Sequence, residues 1–322
     1  MSEGMANNQQ NMFQMSMEEQ VRMQQMTAPG EGEKKRGIGS RIGYFFLTIV
    51  PPVVSLILQL VAVLLVVFVG ALIAGATGKI DVTNQINMMI QIQELVFNSA
   101  PLGIMLYHII GILVFGLWFR ACYKKPRPTI KGSFEKVNGK AVVITVICGI
   151  ALCIFSNATI FFEYHVSPGL IEEYEQLMES AQMGTSVFTV IAAVFLAPIG
   201  EEFLCRGLCF RFAKKSLGNF WLANIFQAFL FGCIHGNLVQ GIYAFCIGLV
   251  LGWLVERYDS LVPAMLLHFV VNLSSTTWVP VVGQMIWPGE TMPSLIASVF
   301  MLVIPAAIIV VILVKEKKVE RN

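Results

Sequence analysis

Five polar side chains with the chemistry of a reaction centre stand inside apolar stretches in the second half of the chain. They are Glu201, Glu202, His235, His268 and Asn272. Imidazole and amide groups in such a setting can bind a metal, accept a proton from water or donate a hydrogen bond to an oxyanion. An ionisable group at the centre of a membrane helix costs about 2.5 to 3.5 kcal/mol on insertion scales, so each one is a candidate functional residue.

The two glutamates form a motif with an arginine. In the segment APIGEEFLCRGLCFRF, Glu201 and Glu202 are adjacent, and Arg206 follows Glu202 by four residues. Residues i and i+4 share one face of a helix, so the spacing predicts that Glu202 pairs with Arg206 while Glu201 projects about 100° around the axis. One carboxylate is then neutralised and the other is left free. A purely structural ion cluster at the cytoplasmic end of a span accounts for the same three residues.

The histidines and the asparagine lie in two further apolar stretches. FLFGCIHGN places Phe231 one turn before His235, and PAMLLHFVVN places Asn272 one turn after His268. Each histidine taken singly is also explained by a hydrogen bond to a neighbouring helix. Their occurrence together with the glutamates, on three spans, favours a shared site that is built from separate helices, as in the cores of helix bundles.

The remaining polar and sulfur-containing residues of the apolar stretches indicate no chemistry of their own. Gln59, His108 and Asn157 are isolated, and we interpret them as packing or hydrogen-bonding residues. The seven cysteines include no CxxC pair, so neither a disulfide framework nor a zinc ribbon is indicated. We interpret the cysteines as small apolar packing residues.

The composition shows which elements must position these groups. Of 322 residues, 56% are hydrophobic and 13% charged, whereas soluble domains carry roughly 25% charged residues. A hydrocarbon core about 30 Å thick takes about 20 residues of helix, and irregular backbone cannot face lipid. The chain is therefore predicted to be all-α, a polytopic membrane helix bundle. Its net charge of +2 leaves no basic surplus for binding nucleic acid.

Eight apolar stretches predict about eight transmembrane helices. They cover approximately residues 44–74, 101–119, 141–162, 186–211, 220–235, 241–255, 261–278 and 294–314. Lys and Arg residues are concentrated before the first stretch, between the second and third, after the fourth and at the C-terminus. Because positively charged loops stay in the cytoplasm, both termini are predicted to be cytoplasmic. Residues 163–184 carry five glutamates and no Lys or Arg, and are expected on the opposite side.

The chain divides into four predicted parts. Residues 1–40 are expected to be a disordered cytosolic tail, since they are polar and contain no apolar signal-peptide core. Residues 41–184 hold the first three transmembrane helices, 185–275 the catalytic core, and 276–322 the last helix with a basic tail.

The depth of the candidate residues in the membrane raises one difficulty. At 1.5 Å per residue, Glu201 and His268 lie roughly 12 to 15 Å from the cytoplasmic face, but His235 lies roughly 24 Å deep if its helix begins after Asn219. We prefer an arrangement in which residues 220–223 are interfacial and the GNLVQG turn lies within the protein, facing a wet cavity.

The order of the motifs, EExxxR, then FxxxH, then HxxxN, resembles the CPBP family of intramembrane proteases. This family is typified by the type II CAAX prenyl endopeptidase and includes bacterial Abi and bacteriocin-immunity homologues. The resemblance covers about residues 185–275. The motif positions of the family fall on Glu201, Glu202, Arg206, Phe231, His235, His268 and Asn272.

The resemblance implies hydrolysis of a peptide bond inside the membrane boundary. Glu201 would activate the attacking water, Glu202 would be held by Arg206, and the histidines with Asn272 would orient the water or stabilise the oxyanion. The family is usually described as metalloproteases, and Glu201, His235 and His268 would be a familiar zinc set with one open position. A metal-free mechanism with glutamate-activated water stays open beside it.

The expected partners are the lipid bilayer and a hydrophobic or lipid-modified peptide or membrane-protein terminus, in a multi-pass protein of the cell membrane. Two other classes of function remain open. One is a non-catalytic immunity or scaffold protein with the same fold. The other is an ion- or proton-coupled transporter, which the confinement of the polar groups to one half of the chain disfavours, since transporters commonly carry broken helices in both halves.

Overall fold

The computed structural model describes residues 37–80, 83–122, 130–277 and 292–316. It divides the chain into two units, Met1–Gly43 and Tyr44–Asn322. Of the first unit, which includes the predicted tail, residues 1–36 lie outside the described part, and a helix begins at Ile38. The last residues of the basic tail, 317–322, also lie outside it.

The described residues are almost entirely helical, and no strand occurs among them. This confirms the all-α class and a polytopic helix bundle. In chain order the helices are α1 (Ile38–Ala76), α2 (Gln85–Ala121), α3 (Ile130–Glu135), α4 (Gly139–Val166), α5 (Pro168–Ser180), α6 (Val187–Leu217), α7 (Phe220–Cys233), α8 (Leu238–Tyr258), α9 (Val262–Thr276) and α10 (Met292–Lys315).

Six of these helices, α1, α2, α4, α6, α8 and α10, are long and apolar enough to cross a membrane. The predicted fifth and seventh spans correspond to α7 and α9, which have 14 and 15 residues. At 1.5 Å per residue α7 is about 21 Å long, shorter than a hydrocarbon core of about 30 Å. The eight predicted spans therefore comprise six full-length helices and two short ones.

One predicted boundary was wrong, and one helix lies outside the predicted spans. The second helix begins at Gln85, sixteen residues before the predicted start at 101, because the Asn84 side chain accepts hydrogen bonds from the backbone of Ile86 and Asn87 and caps a polar extension of the apolar span. The acidic segment 163–184 contains the additional helix, α5. Hydropathy marks the apolar part of a helix and misses its polar continuation.

The core of the second unit is formed by apolar side chains of α4, α6, α8 and α9. Leu204, Leu208, Leu251 and Leu267 are fully buried there. Helix α1, in contrast, exposes large apolar side chains along its length, such as Leu60 at 60%. Exposed apolar surface of this extent is unfavourable in water and is typical of a lipid-facing helix. The chain is a multi-pass membrane protein. All seven cysteines are free, and four of them are buried.

Three helix ends meet at one end of the bundle. Glu316, just after α10, pairs with Lys140 of α4 at 2.6 Å and with Arg257 of α8 at 3.3 Å. Lys136, just before α4, pairs with Asp259 at the end of α8 at 2.8 Å. These ion pairs place the loop before α4, the end of α8 and the end of α10 on the same side.

The side itself is a prediction from the Lys and Arg distribution. A reporter fused after Lys140, or at the C-terminal Asn322, is expected to read cytoplasmic, and one inserted between Glu172 and Glu179 is expected to read external. Paired glycosylation and alkaline-phosphatase fusions at these three positions measure this. An external C-terminus would contradict the predicted topology.

Candidate active site

The two glutamates lie on α6 between two π-helical stretches. The first stretch covers Ala192–Leu196 and the second Phe203–Cys209, with α-helical residues Ala197–Glu202 between them. A π turn holds an additional residue and occurs frequently at functional sites. Gly200 precedes the pair, and a Cβ there would lie 3.4 Å from Cγ1 of Ile112 on α2. Helix α2 therefore packs closely against the backbone that carries the glutamates.

Glu202 forms the ion pair with Arg206 that the spacing predicts. The Arg206 Nη1 donates to Glu202 Oε1 at 2.8 Å, and neither side chain is exposed. Arg206 also donates through Nη2 to the Gly248 carbonyl at 3.2 Å, and its guanidinium carbon lies 4.4 Å from the centre of the Phe231 ring. A buried charge pair of this kind is stable only when such further contacts compensate the lost hydration.

His268 joins the two glutamates from α9. Its Nδ1 lies 3.1 Å from Glu202 Oε1, and its Nε2 lies 3.8 Å from Glu201 Oε2. Because a carboxylate accepts, Nδ1 carries the hydrogen of this bond, and Nε2 of the neutral ring is an acceptor that faces Glu201. The two glutamates therefore differ in environment, as predicted. The side chain of Glu202 is fully buried against Arg206 and His268, whereas the side chain of Glu201 is 15% exposed and faces the imidazole of His268.

His235 lies in the tight turn between α7 and α8. Gly236 has a φ of +72°, which favours glycine, and the Asn237 side chain caps α8 by accepting from the Gln240 N–H at 2.7 Å. The His235 Nδ1 bonds the Phe231 carbonyl at 2.7 Å. A carbonyl can only accept, so Nδ1 carries the hydrogen and Nε2 of the neutral ring is again an acceptor.

The Phe231 ring is close to both histidine rings and nearly perpendicular to them, with centroid distances of 5.0 Å to His235 and 5.7 Å to His268. The depth of roughly 24 Å for His235 assumed a full span that begins after Asn219, and α7, with 14 residues, is too short for such a span. The preferred arrangement, with residues 220–223 at the interface, stays a prediction. The turn is also shorter than GNLVQG, since α8 already begins at Leu238.

Asn272 connects α9 to the first π stretch of α6. Its Nδ2 donates to the Ala193 carbonyl at 2.7 Å. This carbonyl lacks a partner in its own helix, because the Ala197 N–H donates to Ala192 and the next residue, Pro198, has no N–H. The asparagine therefore satisfies a backbone group that the π turn and the proline leave open, and its second amide hydrogen remains for another acceptor.

Two residues of α2 that the sequence analysis assigned no function lie beside the site. His108 is buried and interacts electrostatically with Glu201, His235 and His268, and Tyr107 interacts with Glu201. The interpretation of His108 as a packing or hydrogen-bonding residue gave no reason to expect this position. It belongs to no motif, and the only signal in the sequence is that an ionisable side chain stands within a membrane helix.

The side chains predicted to bind zinc, Glu201, His235 and His268, are of the types that zinc prefers. Both histidines offer Nε2, and their Nδ1 hydrogens are fixed by other groups, as is usual for metal-ligating histidines. Within the described ranges, no group of three or more His, Cys, Asp or Glu side chains is arranged to hold a metal ion, and zinc binding by Glu201, His235 and His268 stays a prediction.

Comparison with known proteins identifies one family. Residues 183–274 match the model of the family described as Rce1-like, type II CAAX prenyl endopeptidase Rce1-like. No curated protein matches the chain significantly, and no solved structure does. The match extends from just before α6 to within α9, and every predicted site residue lies inside it. The resemblance inferred from the three motifs is confirmed, since residues 183–274 are similar to the Rce1-like family of type II CAAX prenyl endopeptidases.

Proposed function

We propose that this protein is an intramembrane endopeptidase in which Glu201 activates water to hydrolyse a peptide bond. The observation that carries the proposal is the unequal environment of two adjacent carboxylates. Glu202 is fully buried and bonded by Arg206 and His268, whereas Glu201 is partly exposed and faces the acceptor nitrogen of His268. A carboxylate that is near an imidazole and has no arginine beside it is suited to accept a proton.

The gap between Glu201 and His268 fits the attacking water. Glu201 Oε2 and His268 Nε2 are 3.8 Å apart, and both accept hydrogen bonds when the ring is neutral. One water at about 2.8 Å from each atom can donate one hydrogen to each of them. Its oxygen lone pairs then point away from both side chains and can reach the carbonyl carbon of a bound peptide.

The reaction follows from this arrangement. The water oxygen forms a bond to the carbonyl carbon while one water proton passes to Glu201, which produces a tetrahedral oxyanion. The carbon–nitrogen bond then breaks, and Glu201 returns the proton to the leaving amine. The products are a carboxylic acid and an amine, and the acid then passes its proton, the second proton of the water, to the amine or to solvent. Glu201 has recovered its negative charge. No step depends on a metal ion.

Arg206 and Glu202 act in this scheme through His268. Arg206 holds Glu202 in one orientation, and Glu202 fixes the hydrogen of His268 on Nδ1, so that Nε2 faces Glu201. His235 offers a second Nε2 acceptor, which orients the water or the substrate. Asn272 has one amide hydrogen in use on Ala193, and we assign the other to the developing oxyanion.

The substrate that we propose is a hydrophobic or lipid-modified peptide or membrane-protein terminus, cleaved near the cytoplasmic face of the cell membrane. The support is the membrane bundle itself, because a substrate that reaches a site between apolar helices must be compatible with lipid. The family description, a CAAX prenyl endopeptidase, makes a lipid-modified C-terminal peptide one member of this class.

The proposal is tested with purified protein in lipid nanodiscs and a library of quenched fluorescent peptides, with and without prenyl groups. We expect cleavage of at least one hydrophobic peptide, identified by mass spectrometry of the products. Elemental analysis and a chelator arm accompany the assay. Full activity with far less than one metal ion per chain supports metal-free chemistry; loss of activity on chelation with recovery on zinc supports a zinc enzyme. If no peptide in the library is cleaved, the proposed function is contradicted.

A further inference from the structure

Helix α2, which lies outside the region matched by the family, contributes to the surroundings of Glu201. A Cβ on Gly200 would lie 3.8 Å from the His108 carbonyl oxygen, so the backbone of α2 at His108 passes beside the residue before Glu201. The neighbouring Tyr107 is fixed by a 2.6 Å hydrogen bond between its hydroxyl and Ser55 Oγ of α1. The backbone of α2 at His108 therefore lies beside the segment that carries the general base, and the hydrogen bond of Tyr107 ties this part of α2 to α1.

The hydrogen bonds of the other two histidines restrict what they can do. His235 and His268 both carry their hydrogen on Nδ1, bound to the Phe231 carbonyl and to Glu202. While neutral, neither ring has an N–H left for an oxyanion. Both can orient water, but the negative charge of the tetrahedral intermediate needs donors from elsewhere. Asn272 can supply one such donor, because its amide has two hydrogens and only one of them is bound to the Ala193 carbonyl.

His108 can supply a second donor. It is 9% exposed and interacts electrostatically with Glu201, His268 and His235. Within the described part of the chain its ring has no hydrogen-bond partner, so the ring N–H is not committed. A neutral imidazole always carries one N–H, and the N–H of His108 can therefore be donated to a ligand.

We propose that His108 is a further catalytic residue, whose ring N–H binds the peptide oxygen of the substrate as it becomes the oxyanion. This inference rests on the proposed function. The N–H donates to the carbonyl oxygen while the bond from water to carbon forms, and it keeps its hydrogen when the carbon–nitrogen bond breaks. A donor that is fixed before the reaction binds the developing charge more strongly than the neutral carbonyl, so its effect appears in kcat.

The test compares three variants on a peptide that the wild type cleaves. His108→Phe keeps a planar ring and removes the donor, and His108→Asn restores an N–H. His165→Phe is the matched control, because the His165 Nδ1 is bound to the Phe161 carbonyl of its own helix. We expect a fall in kcat of about 10²-fold for His108→Phe with little change in KM, partial recovery for His108→Asn, and wild-type kinetics for the control.

A phosphinic peptide, which mimics the tetrahedral intermediate, provides a second readout. Its affinity is expected to fall in His108→Phe by about the same factor as kcat/KM, while the affinity of the uncleaved peptide hardly changes. If the phenylalanine variant is unfolded by thermal denaturation, His108→Asn and His108→Ala make the same comparison. Wild-type kcat in the donor-free variant, or a rise in KM alone, overturns the role of His108 and leaves the proposed function intact. A wild type that cleaves nothing overturns both.

Discussion

Glu201→Gln is expected to lower turnover by about 10² to 10⁴-fold, the range typical for loss of a general base. Glutamine keeps the size of the side chain and its ability to hydrogen-bond, but it cannot accept the water proton. The initial rate of peptide cleavage under saturating substrate measures the effect. Glu175→Gln, at an exposed position on α5, is the control and is expected to keep wild-type turnover.

The same variant is expected to fold normally. Glu201 is partly exposed and lies 3.8 Å from the ring of His268, which is neutral in the proposed mechanism, so the change strands no buried charge. Thermal unfolding in nanodiscs and binding of an uncleaved peptide both report this. Near-normal cleavage by a folded Glu201→Gln protein would show that another group is the base.

Arg206→Ala is expected to lower the free energy of unfolding by about 3 to 5 kcal/mol, because it leaves the carboxylate of Glu202 buried without its counterion. The pair is fully buried at 2.8 Å, and removal of the guanidinium also opens space against Phe231. Lys136→Ala is the control for ion pairing in general. It breaks an exposed pair with Asp259, for which at most about 1 kcal/mol is expected.

A double-mutant cycle separates the pair from its surroundings. Glu202→Gln alone is expected to be strongly destabilising, because Arg206 is then the stranded charge, and Glu202→Gln with Arg206→Met is expected to cost less than the sum of the two single changes. Denaturant unfolding followed by tryptophan fluorescence measures each corner. Additive effects would mean that the charges do not stabilise one another.

The local part of the site could be predicted from the sequence, because it depends only on helix geometry. Glu202 and Arg206 are four residues apart, and they pair as that spacing requires. The contact between His268 and Glu202 joins residues 66 positions apart, so it depends on how α9 packs against α6. The motifs indicated that these residues form one site. They did not indicate which ring nitrogen of each histidine carries the hydrogen, or which group accepts it.

The features that the sequence analysis missed arise from tertiary packing. His108 lies near Glu201 because Gly200 lets α2 approach α6, and one isolated histidine gives no pattern to detect. The membrane helices were predicted from hydropathy, which depends on composition alone. The polar extension of α2 and the presence of α5 depend on capping and on packing over the bundle, which hydropathy does not measure.

The two π stretches of α6 make the number of its residues a constraint on function. They lie on either side of the glutamate pair, and each residue of an α-helix turns the chain by about 100°. Because a π turn holds one additional residue, deleting one residue from Phe203–Cys209 can return that stretch to α-helix and leave Phe212 in phase with Glu201. The α-helical stretch Ala197–Glu202 holds no additional residue, so a deletion there would rotate one end of α6 against the other by about 100°. The effect of a single-codon deletion in α6 therefore depends on whether it falls within a π stretch or between the two.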